Sequence, residues 1–306
     1  MKHRFSLVII FIGLFALMVG CSGASSAGEQ QSDGLSDGAD ADANGTDAHI
    51  ISTTVALTEI ADELELDLLG VPTSYKDLPD RYQDATEVGM AMDPDMEIIK
   101  SLHPDDVWSV STLEDDVKEA FETTNTPVTF IDLESIDGMY DSILSLGEKY
   151  DRNEQAQALV DRFEKKLSET KASIESDDTP TVLILLGVPG SYLVATENSY
   201  VGDLVKRAGG ENAIQGEDVE YISSNTEHLQ QSNPDIILRM AHGMPDEVVK
   251  MFDKEFKEND IWKHFKAVQN ERVYDLEETR FGTTANLAAP EAFEELVDIL
   301  YPEDAE

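Results

Sequence analysis

One uninterrupted helical stretch near the middle of the chain constrains everything around it. From residue 153 to about 174, apolar residues recur at Ala156, Leu159, Val160, Phe163 and Leu167, the three- and four-residue spacing of a helix with one buried face. No glycine or proline interrupts it. About 20 residues at the helical rise make a rod of roughly 30 Å. Residues 176–180 end it in polar, breaker-type side chains. Both flanks of this rod alternate short apolar runs with amphipathic segments. That pattern predicts a strut joining two α/β lobes with parallel-rich sheets, each lobe built like a Rossmann unit.

In the first flank, strands are expected at 50–51, 68–71, 107–110 and 128–132, with helices at 56–64, 96–102, 113–124 and 136–150. In the second, strands are expected at 181–186, 192–195, 236–238 and 272–274. Helices there are expected at 200–208, 226–231, 246–256 and 290–300. The lobes therefore run over 49–150 and 177–306, with 151–176 as the linking helix. A weak internal repeat ties the flanks together. Glu97 is followed seven residues later by Pro104-Asp105 and then Val107-Trp108; Glu227 is followed seven residues later by Pro234-Asp235 and then Ile236-Ile237.

The first 20 residues belong to no lobe. Lys2 and Arg4 precede an almost unbroken apolar run from residue 7 to 17, and Cys21 follows it directly, the layout of a secretory signal. The segment looks like a bacterial lipobox, with Met18 where leucine is usual, which makes Cys21 a lipidation site. Residues 22–48 are rich in Ser, Gly, Ala and Asp and read as a flexible acidic tether. Cys21 is the only cysteine, so no disulfide or cysteine nucleophile is expected beyond it.

The formal net charge is −41, and removing residues 1–20 takes two bases and no acid, leaving 20 Lys and Arg against 63 Asp and Glu. Nucleic acid is an unsuitable partner for such a surface. A membrane is reached only through the anchor. An acid excess of this size also suits a saline exterior, where counterions screen self-repulsion.

The stretch P-D-I-I-L-R-M-A-H-G-M, residues 234–244, reads as a buried strand ending in a glycine-containing loop. His242 stands just past the strand's C-terminal end, the edge at which open α/β sheets bind ligands. Met92, in G-M-A-M-D-P-D at 89–95, occupies a similar loop in the first flank. The two loops are expected to face each other across a cleft. Met90, Met96 and Met244 offer the same thioether chemistry nearby. No pair of histidines stands at chelating spacing, no H-E-x-x-H occurs, and no nucleophile–base signature appears, so no enzyme is expected.

Several longer stretches carry a resemblance. They are T-T-V-A-L-T from Thr53, P-T-S-Y-K from Pro72, G-V-P-G-S-Y-L-V-A-T from Gly187, G-D-L-V-K from Gly202, R-M-A-H-G-M-P from Arg239 and N-D-I-W-K-H-F from Asn259. With the two-lobe pattern, they resemble the substrate-binding proteins of ABC importers for siderophores, cobalamin and haem. Within that group they resemble the haem-receptor lipoproteins of the Gram-positive iron-regulated surface determinant system. The resemblance runs over nearly the whole chain from His49 to Pro302.

It implies haem (iron protoporphyrin) as the ligand, with Met92 and His242 as axial ligands to iron. A soft thioether and an imidazole suit that role from opposite faces. It implies donors for the propionates at the Val55 and Ala56 N–H groups, at a helix start, and at Tyr75 and Lys76. Val188 and Tyr192 are expected to wall the ring. Glu97 and Glu227 are the expected docking residues for an ABC permease and its ATPase. Haem-donating cell-surface proteins are the implied upstream partners. The implied protein is a monomer, lipid-anchored (palmitate) on the outer face of the cell membrane. A ferric siderophore or cobalamin is the alternative cargo, and a secreted haem-degrading enzyme the alternative class.

Overall fold

The computed structural model describes residues 48–223, 229 and 232–302. The expected signal segment, Cys21, the tether up to residue 47 and most of the expected helix over 226–231, Glu227 included, lie outside these residues.

The first lobe is assembled from β1 (Ile50–Ser52), α1 (Val55–Glu63), β2 (Leu68–Val71), β3 (Thr86–Glu87), the hairpin pair β4 (Gly89–Met90) and β5 (Asp93–Pro94), α2 (Met96–Ser101), β6 (Asp106–Val110), α3 (Glu114–Thr124) and β7 (Val128–Ile131). Its sheet has the order β3-β2-β1-β6-β7 and is parallel throughout. β6 is buried over its whole length, as befits the inner strand of a sheet covered on both faces. Asp106, which opens it, is 6% exposed and accepts from Thr129, Lys149, Tyr150 and Trp108. Four donors compensate a carboxylate that would otherwise be costly to bury.

Two helices follow, α4 (Ile136–Lys149) and α5 (Asn153–Ala172). α5 has 20 residues and buries Ala156, Leu159, Val160, Phe163 and Leu167, the stripe expected from spacing.

The second lobe contains β8 (Thr181–Val188), β9 (Ser191–Ala195), α6 (Tyr200–Arg207), β10 (Glu211–Asn212), β11 (Tyr221–Ser223), β12 (Ile236–Ala241), α7 (Pro245–Glu258), α8 (Lys266–Gln269), β13 (Val273–Asp275) and α9 (Ala289–Leu300). Its sheet runs β11-β9-β8-β12-β13, with β10 also paired to β8. β8, β12 and β13 are parallel, while β9 is antiparallel to both β8 and β11. β8 and β12 each extend beyond the expected ends, because cross-strand pairing continues to Gly187 and Ala241.

The linking helix does more than span the lobes. One hydrophobic core runs from Ile50 and Trp108 through Phe163 and Leu167 of α5 to Val182, Phe293 and Leu300. Ion pairs reinforce both sides of α5: Arg162 to Glu63 at 2.9 Å and Lys166 to Glu294 at 3.2 Å. The lobes are also tied directly. The Ala285 N–H donates to the Leu133 carbonyl at 2.7 Å. The Ile136 N–H donates to Asp203 at 3.0 Å, and Arg207 pairs with Asp137 at 2.8 Å.

Candidate functional site

The C-terminal ends of β1, β2, β6, β12 and β13 open into one cleft of about 1060 Å³, lined from both lobes. That is at the upper end of ordinary small-molecule sites, and suits a large flat ligand.

His242 is held by the geometry of its strand. β12 is buried along its six residues, and the His242 N–H still donates to the Gly187 carbonyl at 2.9 Å. The chain then turns sharply: Gly243 has φ +72° and Met244 φ +48°, and Pro245 begins α7. Met244 carries a side chain in the left-handed region, a local strain of the kind found beside binding sites. The result leaves the His242 imidazole exposed, lining the cleft.

Met92 is presented by a structure that strand patterns did not reveal. β4 and β5 form a tight hairpin with Ala91 and Met92 at its turn. Gly89 makes this possible. Its φ is +94°, and a Cβ there would lie 2.8 Å from the Asp95 nitrogen and 2.9 Å from the Asp93 oxygen. Met92 lines the cleft and is 62% exposed; Met90 does the same at 60%. Met96 starts α2 and packs on the core beneath it, and neither it nor Met244 lines the cleft.

Val55 and Ala56 also line the cleft. Thr54 caps α1 by accepting from the Leu57 N–H at 3.3 Å. The first-turn N–H groups of Val55 and Ala56 have no carbonyl within the helix to bond, and they stand at its positive end. Tyr75 and Lys76, in the loop after β2, line the same cleft.

The expected wall residues are elsewhere. Neither Val188 nor Tyr192 lines the cleft. The Tyr192 ring packs on Phe252 at 5.8 Å and Trp262 at 6.2 Å, within the aromatic cluster beneath α7. The β8–β9 hairpin carries it to that side of the sheet. The apolar walls are instead Val110, Leu113, Val248, Val249, Phe252 and Leu276.

Arg239, Glu59 and Glu278 are among the charged residues of the cleft that the sequence did not single out. Arg239, 8% exposed, is bonded through two nitrogens to Asp275 and pairs with Asp253 at 3.1 Å, so its charge is compensated within the lobe. Glu59, on the cleft side of α1, has a carboxyl pushed up by burial, against which the Lys76 charge pulls down. Glu278, 8% exposed, accepts from the Tyr75 hydroxyl at 2.5 Å and the Gly243 N–H at 3.0 Å, with the Lys76 ammonium 3.9 Å away. Among 63 acids, nothing in the sequence marked Glu278 apart.

Glu97 is exposed on α2, whose cap Asp95 accepts its N–H. Among the described residues, no three His, Cys, Asp or Glu side chains converge as they would for a bare metal ion, and no helix is long and apolar enough to cross a membrane.

The pattern of the periplasmic binding protein family matches residues 50–279. A Staphylococcus aureus protein named high-affinity heme uptake system protein IsdE is 54% identical over 254 residues, spanning 82% of this chain and 87% of that one. The crystal structure of S. aureus IsdE complexed with heme superposes with a TM-score of 0.81 at 52% identity, covering 84% of this chain and 99% of the other. An ABC transporter substrate-binding protein from Listeria monocytogenes EGD-e superposes with a TM-score of 0.79 at 56% identity, over 84% and 99%.

Proposed function

The chain belongs to the periplasmic binding protein family, and on that premise we propose that it is a haem-binding receptor that captures haem outside the cell and delivers it to an ABC permease. The observation that carries this reading is the pairing in one cleft of Met92, at the tip of a first-lobe hairpin, with His242, at the end of a second-lobe strand. A thioether and an imidazole brought from opposite lobes suit the two axial positions of a haem iron. With both positions taken, oxygen has no open site on the metal. The protein acts as a carrier and returns the haem intact.

The remaining parts follow from chemistry. The walls of aliphatic side chains and Phe252 suit the faces of a porphyrin. Its propionates are anions, and their donors are the Val55 and Ala56 N–H groups at the start of α1, with Tyr75 and Lys76 opposite. Glu97 is proposed as one permease contact, and Glu227 as its counterpart on the other lobe. Charges of this kind chiefly orient and speed an encounter. Cys21 is the proposed lipid attachment, holding the receptor to the outer face of the membrane.

An absorbance titration with haem of the soluble chain from Ser22 to Glu306, beside Met92→Ala and His242→Ala, tests the reading. A saturable one-to-one, six-coordinate low-spin spectrum, altered in both variants, is expected. A wild-type chain with no specific Soret change would return the cargo to a siderophore or cobalamin.

A further inference from the structure

Glu278 stands out because its partners are the groups an anionic ligand needs. A single oxygen of its carboxylate takes the Tyr75 hydroxyl and the Gly243 N–H and lies 3.9 Å from Lys76. Tyr75 and Lys76 belong to the first lobe, and Gly243 directly follows His242 in the second. Glu278 thus closes a bridge across the cleft between residues 203 positions apart in sequence. It is also nearly buried, so its charge depends on these donors and not on water. Resting on the haem reading above, Tyr75 and Lys76 are the same donors assigned to a propionate. Two carboxylates cannot both hold the Tyr75 hydroxyl, which has one proton to give, and the charge of the Lys76 ammonium is shared between competing anions.

We propose that Glu278 is an internal carboxylate that exchanges with a haem propionate for Tyr75 and Lys76, so that haem entry breaks the Tyr75–Glu278 bridge and haem release restores it. Binding is weakened by the cost of displacing Glu278, and release is eased because Glu278 recaptures the donors as the propionate leaves. The bridge also links the ligand's anionic edge to its iron. Once Glu278 loses its first-lobe partners, the Gly243 N–H is the donor that retains it among the described residues, one residue from the proposed histidine ligand. Selectivity follows as well, since a flat ligand without carboxylates leaves the bridge in place.

Glu278→Gln tests this directly, because it keeps an acceptor oxygen for Tyr75 and Gly243 and removes the competing charge. Haem titrations and dissociation rates are measured for wild type, Glu278→Gln and Glu278→Ala. They are repeated with the iron porphyrin whose propionates are methyl esters. The expected result is haem binding about tenfold tighter in both variants, with slower dissociation, as removal of a charge-assisted competitor requires; with the diester, wild type and variants coincide. Unchanged or weaker haem binding by Glu278→Gln, or an equal gain with the diester, overturns the exchange while leaving the haem reading intact. A wild-type chain with no saturable haem binding overturns both.

Discussion

The Asp203 carboxylate of the second lobe accepts the Ile136 N–H of the first at 3.0 Å. The same oxygen takes the Arg207 guanidinium at 2.7 Å, so one acid caps a helix in one lobe while pairing with a base in its own. The Asp203 side chain is 17% exposed, so the contact is largely withdrawn from bulk water. Removing it orphans a helix-end donor and half-releases a cation. Asp203→Ala is expected to lower stability by roughly 2 kcal/mol, and Asp203→Asn, which keeps an acceptor, by about half that. Urea unfolding monitored by circular dichroism reads the difference; equal midpoints for wild type and Asp203→Ala would mean that the contact carries no weight.

Gly89 should be the residue on which Met92's position depends. Its φ of +94° disfavours any side chain, and the atoms a Cβ would strike are backbone, which cannot swing aside. Strain of this kind costs about 1–3 kcal/mol. Gly89→Ala is expected to displace the hairpin more than it unfolds the lobe. The haem spectrum should then shift toward that of Met92→Ala, with melting within a few degrees of wild type. A wild-type spectrum in Gly89→Ala would separate hairpin geometry from iron ligation.

Much of this architecture could be read from the chain, and the reason is periodicity. The buried stripe of α5, the alternation of strands and helices, and His242 at a strand end all follow from apolar spacing. The hairpin bearing Met92 did not, because β4 and β5 have two residues each and no alternation to detect. Tyr192 was misplaced for a related reason: a motif specifies residues but not which side of a sheet they face. Glu278 was invisible, since its importance comes from partners at Tyr75 and Gly243, brought together only by folding. The frame and the loops that carry Met92 and His242 thus follow from local pattern, while contacts across the cleft arise only on folding.

Tyr75 supplies a pH test of its bridge. Although the residue is 71% exposed, its hydroxyl donates to Glu278. Desolvation, the hydrogen bond to Glu278 and that residue's charge push the phenol up from 10.0 to about 12. A raised phenol favours the folded form while protonated. Its contribution is full below the unfolded value near 10 and is lost as pH rises toward about 12. Tyrosinate absorbance, wild type minus Tyr75→Phe, should show a single step in that upper range. In Glu278→Gln the step should move down toward the ordinary value; a step that stays in place would assign the shift to burial alone.

Glu59 has the opposite consequence at neutral pH. Burial raises its carboxyl above the model-compound value, and Lys76 only partly offsets this. For a carboxyl raised on folding, stability is greatest below the unfolded value and declines as pH rises through the folded one. Ionised Glu59 therefore burdens the fold at neutral pH. Glu59→Gln should melt higher than wild type at pH 7 and the two should converge below pH 4. A variant that melts lower at pH 7 would show that the Lys76 attraction outweighs desolvation.

Salt acts on two opposed sets of charges, and their balance fixes the sign of its effect. Ion pairs such as Lys165–Glu169 and Lys254–Glu258 are exposed on both partners and contribute little, about 0–1 kcal/mol each. Screening them loses little. Against them stands the mutual repulsion of 63 acids opposed by only 22 bases. That repulsion is spread over the whole surface, and it shrinks as the screening length falls from about 10 Å at 0.1 M to about 3 Å at 1 M. Repulsion should dominate, and the melting temperature should climb steadily with sodium chloride over that range. The interlobe contacts of Asp203 and Asp106's buried network, being shielded from solvent, should hold through the series. A melting temperature that is flat or falls with salt would show that attraction between paired surface charges, not net charge, governs stability.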